Sequence, residues 1–459
     1  MKKVSLLFLA SLISITVFSQ SVSDNYDDVA VIMNSNSDAS LEIGTYFAQQ
    51  REIPDENLIY VVSPLEEEVD TNVFNDIAGQ IEQALIDQGV LDQINYLVTT
   101  KGIPVNLRVS DSCEGVSGIV HCLSFDQALS LIMGPYEHIV GTNQYMGNPY
   151  FDSWEKFSRE EFEIFIVSRL DAYTVDQVKE MIDKTGPMTL VNKDEAQIIF
   201  DVSYIDDTNL VNTFEKILQP ATEFMVRNGW NFVFDTDSTM ILNAANVLGY
   251  YSMNFNLFDK TIDFEWLNGS FAANETGSNF SFYDSLNTDN RLLLPDVLEG
   301  GASSASAYVN GSFLSQSIKM EKFYERYLND SLDFKFNFAE SYFADINTLA
   351  RQYILVGDPK TSLLISHTGF DENPVISGIS VFPNPAEDVF NIEFSSRSDG
   401  EINIRIIDLK GRVVSSRFHE QAEGINRIRM DASEIPQGIY AIILGDENGY
   451  RFSKKLVKL

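Results

Sequence analysis

The sequence predicts an α/β protein: a parallel-sheet domain followed by a small all-β sandwich. Apolar, β-branched runs alternate with segments of helical period between residues 28 and 235. Beyond residue 376 the texture changes to short alternating strands separated by turn residues. A polar stretch, HTGFDENPVI (367–376), stands between the two textures and reads as a linker.

DVAVIMN (28–34) is an apolar run ending at NSNSDAS, a cluster of turn and cap residues. LEIGTYFAQQR (41–51) has an amphipathic helical spacing, and NLIYVVS (57–63) is the second strand. NVFNDIAGQIEQALIDQG (72–89) is a helix whose Gly89 suits its end, and INYLVTT (94–100) is the third strand. After a loop-rich stretch (110–160) the alternation resumes. FEIFIVSRL, AQIIFDVSYI and WNFVFD are strands, with TVDQVKEMIDKTG and NTFEKILQPATEFMVRNG as the helices between them. Strand–helix alternation implies parallel strands covered by helices, a Rossmann-like arrangement. Residues 262–290 lack a clear period and read as a long insertion or a pair of short strands. In the tail, VFNIEF, INIRIIDL, RVVSSRF, NRIRMDA, GIYAIIL and RFSKKLVKL are strands of a sandwich.

The expected organisation is a signal peptide (1–19), an α/β domain (24–366), the linker (367–376) and the tail domain (377–459). Lys2 and Lys3 precede the apolar run Leu6–Phe18, which is too short to span a bilayer in the usual way. Val17 and Ser19 are small, as signal peptidase requires, so cleavage falls near Ser19–Gln20. No later segment has the length and apolarity of a transmembrane helix.

Formal net charge is −35, and it is unevenly spread. Residues 20–373 hold 19 basic and 55 acidic side chains, a net of −36, whereas residues 374–459 are nearly balanced. Such a surface repels nucleic acid and anionic membranes, because phosphates need Lys and Arg to replace their counterions. Solubility and divalent cations are the two readings it leaves, with solubility preferred. The only cysteines, Cys113 and Cys122, form a close pair that reads as a disulfide in an exported chain, worth roughly 2–3 kcal/mol.

Familiar catalytic signatures are absent. There is no G-x-x-x-x-G-K-[ST], H-E-x-x-H, C-x-x-C or G-x-S-x-G. His121 lies inside the cysteine loop and His138 has no recognisable partner, so both read as structural. Asp235 and Asp237, at a strand end, are weak candidates for calcium or magnesium; their spacing lacks the Gly and Glu of an EF-hand loop. No cofactor is required, with calcium the one such a site would favour. Glu66–Glu68 with Asp70 reads as a solvated loop.

The tail carries Val381-Phe382-Pro383-Asn384-Pro385, Phe390-Asn391-Ile392, Asp408-Leu409-Lys410-Gly411-Arg412 and Gly438-Ile439-Tyr440. It ends in Lys454-Lys455-Leu456-Val457-Lys458-Leu459. In this order they resemble the type A C-terminal sorting domain of the type IX secretion system. The resemblance implies export in two steps, by signal peptide and then by recognition of the tail, in a bacterium of the Bacteroidetes group. It also implies removal of the tail, with the cargo released or attached to surface lipopolysaccharide. The secretion machinery is thus the one partner expected; the ligand is left unnamed.

Two resemblances reach the large domain. Asn34-Ser35-Asn36-Ser37, Arg51-Glu52-Ile53-Pro54, Leu97 to Pro104, Asn148-Pro149-Tyr150-Phe151, Ser168-Arg169-Leu170-Asp171, Gly249-Tyr250-Tyr251-Ser252 and Val356-Gly357-Asp358-Pro359 run in order. They resemble an uncharacterised family of exported proteins met in exosortase-carrying species, to which no activity attaches. Ala307 to Phe313 (AYVNGSF), with the closing Gly357-Asp358-Pro359, is similar to the gingipain-like cysteine peptidases of caspase-type fold. That alignment places Tyr308 at the cysteine position and Met253 or Asn254 at the histidine position. Neither makes a thiolate–imidazole pair.

In an open parallel sheet, ligands bind beyond the carboxyl ends of the strands. The expected binding rim is therefore Asn34, Lys101, Arg169 and Asp171, joined by Asn254 and Tyr308 if the caspase-type layout holds. Lys101 and Arg169 suit an anionic ligand; the alternative is that Arg169 and Asp171 pair with each other. The leading expectation is a non-peptidase domain that binds a ligand or partner. The others are a hydrolase using Asp171, Asp201 or Asp235 as base, with or without a metal, and a cysteine peptidase using Cys122 or Cys113.

Overall fold

The computed structural model describes residues 25–109, 122–140, 142, 144, 146–202, 208–236, 240–252, 262–274, 294–309, 319–329, 335–366, 376–408, 413–446 and 451–459. The principal elements of the large domain are β1 (Val29–Asn34), α1 (Asp38–Arg51), β2 (Leu58–Val61), α2 (Thr71–Asp87), β3 (Tyr96–Thr100), α3 (Phe125–Leu129), β4 (Ile166–Leu170) and α4 (Val175–Asp183). They continue as β5 (Gln197–Asp201), α5 (Thr208–Asn228), β6 (Asn231–Asp235), β7 (Asn243–Ser252), β8 (Asp263–Asn274), β9 (Ser304–Tyr308), α6 (Glu321–Tyr327), α7 (Phe338–Asp345) and β10 (Tyr353–Val356).

These ten strands form one mixed sheet in the order β6-β5-β7-β8-β9-β10-β4-β3-β1-β2. Pairing is parallel through β6-β5-β7-β8-β9 and through β4-β3-β1-β2. β10 lies between the two blocks. It is antiparallel to β9 over four residues and meets β4 at a single bridge, Val356 beside Arg169. Strands β1, β3, β4 and β10 are buried at every position, as strands covered on both faces must be. One face of the sheet packs on α1, α4, α6 and α7, and the other face of its β1–β4 block on α2 and α3.

Local signals explain the helix starts. Ser37 caps α1 and Asp70 caps α2 through side-chain oxygens. Thr174 with Gln177 and Asn337 with Glu340 make reciprocal capping boxes on α4 and α7. The expectation of an insertion or two short strands at 262–290 is corrected in its first part. Residues 263–274 are a single strand inside the main sheet, and 275–293 lie outside the described residues. Two register shifts against β7, with Gly269 at φ +75°, break the alternation that would have announced it.

The tail comprises β11 (Ile376–Phe382), β12 (Val389–Ser396), β13 (Gly400–Asp408), β14 (Val413–Gln421), β15 (Gly424–Asp431), β16 (Gly438–Asp446) and β17 (Arg451–Lys458). They form two antiparallel sheets, β11-β12-β15 and β14-β13-β16-β17. Phe390, Ile392 and Phe394 of one share a core with Ile402, Ile404, Ile406, Ile442, Leu444 and Leu456 of the other. The first strand, Ile376–Phe382, starts at the last residue of the expected linker.

Candidate functional site

Asn34, Lys101 and Arg169 come from neighbouring parallel strands and do meet at one edge of the sheet. Asn34 ends β1, Lys101 follows β3, and Arg169 is the penultimate residue of β4. The Asn34 amide donates to the carbonyls of Ser63 (3.1 Å) and Gly102 (2.8 Å). Its Oδ1 accepts from the main-chain N–H groups of Asn36 and Ser63. One fully buried side chain thus ties together the loops after β1, β2 and β3. Gly102 permits this closeness: at φ +99°, an added Cβ would sit 2.5 Å from Ser37 Oγ.

Arg169 is fully buried and forms a bidentate pair with Asp126 of α3, Nε to Oδ2 at 2.9 Å and Nη2 to Oδ1 at 2.8 Å. Nη1 donates to Ile103 O (2.8 Å) and Nη2 to Pro104 O (2.6 Å), and Asp171 Oδ2 stands 3.6 Å from Nη1. Asp171 in turn accepts from Lys101 Nζ at 3.2 Å, and Lys101 also donates to Ala172 O. Burial pushes the Asp171 carboxyl up, against the pull of Lys101 and Arg169. Two cations and two carboxylates therefore form a buried network whose charges offset one another. The guanidinium fork faces protein carboxylate and carbonyls, so Arg169 holds the strand-end loops in register.

Tyr308 shares this edge. Gly301, before β9, is bonded through its carbonyl by Lys184 at the end of α4; Arg51 at the end of α1 donates to Ile182 O and Thr185 O beside it. Helices α1 and α4 run back from the carboxyl ends of β1 and β4, so their ends mark the amino edge. β9 starts there and delivers Tyr308 to the carboxyl edge. Its ring is buried against Tyr353, centroids 5.0 Å apart. Asn254 and Met253 lie outside the described residues, as do Asp237, Cys113, His121 and the side chain of Cys122; the expected disulfide therefore lies outside them too.

Asp201, at the end of β5, is buried and accepts from Ile241 N (3.0 Å) and Tyr250 Oη (3.4 Å). Asp235 is half-buried at the end of β6. His138 is exposed, with Nδ1 3.0 Å from Pro135 O. Among the described residues no cluster of three or more His, Cys, Asp or Glu side chains is placed to hold a metal.

Sequence reasoning missed two groups. Asp126 had a local signal, since Ser124 caps the short α3 in SFDQAL, but nothing local pointed it at Arg169. The other group lies at the amino edge. Buried Asp358 accepts from Tyr26 Oη (2.7 Å), Arg51 Nε (2.7 Å) and Lys360 N (3.0 Å), and Lys360 Nζ reaches Asp28 (2.7 Å).

In the tail, Asn384, Gly438 and Tyr440 of the sorting motif meet the last strand at one end of the sandwich. Asn384, between Pro383 and Pro385, accepts from Val457 N at 2.8 Å, while Ala386 bonds both Val457 O and Leu459 N. Gly438 pairs with Lys458, and Tyr440 pairs with Leu456 while its hydroxyl donates to Pro436 O. Lys454 is exposed; Gly411 and the side chain of Lys455 lie outside the described residues.

Residues 380–459 match the family of secretion system C-terminal sorting domains. Over 97 residues the chain is 29% identical to an endo-acting ulvan lyase of Formosa agariphila, spanning 21% of this chain and 18% of the lyase. Latent dimeric PorU from Porphyromonas gingivalis superposes on 26% of this chain and 14% of its own, with 17% identity and a TM-score of 0.17. The β-glucosidase EmGH1 of Erythrobacter marinus superposes on 62% of this chain and 50% of its own, with 6% identity and a TM-score of 0.15. Superpositions at these scores carry no argument about the large domain. The sorting tail assigns the protein to secretion by the type IX system, hence to the exterior or the cell surface. No helix among the described residues is long and apolar enough to cross a membrane.

Proposed function

We propose that the large domain is a caspase-type α/β cargo that binds a ligand or partner outside the cell and does not cleave peptides. The observation that carries this reading is Tyr308. On the gingipain-like alignment it stands where the nucleophilic cysteine belongs, and it is a buried phenol packed on Tyr353. A phenol held there offers no thiolate for an imidazole to activate. Nor is the buried quartet of Lys101, Asp126, Arg169 and Asp171 an anion site, because its charges answer one another. It holds the loops after β3 and β4, and Asn34 ties to them the loops after β1 and β2, which present Ser35, Asn36, Val62 and Leu65 to solvent. Binding at these loops is the form of the proposal.

The test uses secreted mature protein with and without reductant, incubated with a casein-type substrate and with peptide libraries. No cleavage is expected in either state. Cleavage abolished by thiol alkylation would replace this reading with the cysteine peptidase; cleavage abolished by chelation would replace it with the metal-dependent hydrolase.

A further inference from the structure

Residues 352–365 are the last of the large domain before the tail, and every one of them is buried. They are also the stretch that joins its parts. β10 stands in the middle of the main sheet although it is the last strand of that sheet in the chain, and it carries the strand contacts between the β5–β9 block and the β1–β4 block. The next residues cross to the amino edge, where Asp358 takes Tyr26 and Arg51 and Lys360 takes Asp28 and the carbonyl of Asn25. These partners lie more than 300 residues away in sequence. Leu363–Ser366 then pairs in parallel with Thr189–Asn192. Phe338 and Ala339, which open α7, donate to Thr361 O and Pro359 O.

A segment whose tying contacts reach back to residues 25–28, 51, 169 and 189–192 is placed only after those partners exist, because closing a long loop costs entropy before contacts repay it. Within each parallel block, by contrast, paired residues lie no more than 70 positions apart, whereas Val356 pairs with Arg169 across 187. We infer that residues 352–365 are a keystone that closes the α/β domain last. The domain therefore completes its sheet only when the chain adjoining the sorting tail has arrived. A tail that follows this segment is presented on a domain that is already closed.

The test is pulsed hydrogen exchange during refolding of the full mature chain, read by peptide mass spectrometry. Peptides covering β1, β3 and β4 and those covering β5 and β7 are expected to gain protection first, and 352–365 last. Protection of 352–365 together with or ahead of either block would overturn the inference. Native-state exchange on Asp358→Asn supplies a second reading that does not depend on refolding. Exchange across 352–365 should rise by ~10-fold or more, as in a sub-global opening, while β1 and β3 keep their protection. An equal rise everywhere would mean that Asp358 only adds to global stability, and the keystone would be discarded.

Discussion

Single residues in this domain matter most where charge is buried. Arg169 and Asp126 are both buried, and each satisfies the other bidentately. Asp126→Asn leaves a buried guanidinium short of a counter-charge, so it should cost roughly 3–5 kcal/mol, measured as a fall in the urea midpoint. Arg169→Met together with Asp126→Leu should cost clearly less than either change alone. Asp345 is a different case. Its carboxyl is buried at the meeting of α6 and α7 and accepts only a long bond from Phe323 N (3.4 Å) among the contacts seen. Lys322 and Arg326 favour its charge and Glu321 opposes it. Burial wins and lifts the carboxyl from its ordinary 3.8 to about 7. The folded form therefore holds a proton that the unfolded chain releases. Stability contributed by this group is fully present below pH ~4, is lost as pH rises toward 7, and stays lost above it. Asp345→Asn should flatten that slope and raise stability at pH 8, by roughly 4 kcal/mol at most. A wild-type unfolding free energy that climbs from pH 5 to pH 8 with no difference in the variant would remove Asp345 from the account.

At the scale of elements, the question is what the sheet does with its edges. β2 is an edge strand whose Tyr60 is 54% exposed and whose neighbour Val62 is exposed as well. Such a strand invites pairing with another chain. Gln80 of α2 blocks it: its side-chain amide accepts from Val62 N (2.7 Å) and donates to Val62 O (3.2 Å), imitating the next strand. Gln80→Ala should leave the fold intact but promote concentration-dependent association, visible by light scattering. Unchanged monodispersity at high concentration would mean that the edge is guarded by something else. Elements were legible where the pattern was local. β1 to β6 and the helices α1, α2, α4 and α5 announce themselves by apolar runs, spacing and caps. β7, β9 and β10 do not: β7 and β9 are rich in Ala, Ser, Gly and Tyr and β10 is only four residues, so they take their identity from the neighbours that bury them. The same holds for the rim. Parallel topology brings Asn34, Lys101, Arg169 and Tyr308 to one edge, but that Arg169 would face Asp126 depends on how α3 folds back, which no spacing in the sequence states.

For the whole molecule the dominant quantity is charge. Residues 20–373 carry −36, while the last 86 residues are nearly neutral. The buried cations among the large domain's described residues are already matched: Arg169 by Asp126 and Asp171, Lys101 by Asp171, Arg326 by Asp152 and Lys360 by Asp28. The surplus is therefore acid on the surface, and compactness brings like charges together. The Debye length falls from about 30 Å at 0.01 M salt to about 8 Å at 0.15 M, so added salt should relieve this repulsion while leaving the buried pairs nearly untouched. The melting temperature of the mature protein is expected to rise by a few degrees between 10 and 150 mM NaCl. Asp126→Asn should show the same increment from a lower starting point, because the two effects are separate. Exposed ion pairs such as Lys179–Glu42 and Lys322–Asp152 work in the opposite sense, since salt weakens them. Should melting instead fall with salt, those pairs would outweigh the general repulsion, and the acidic surface would need an explanation other than solubility.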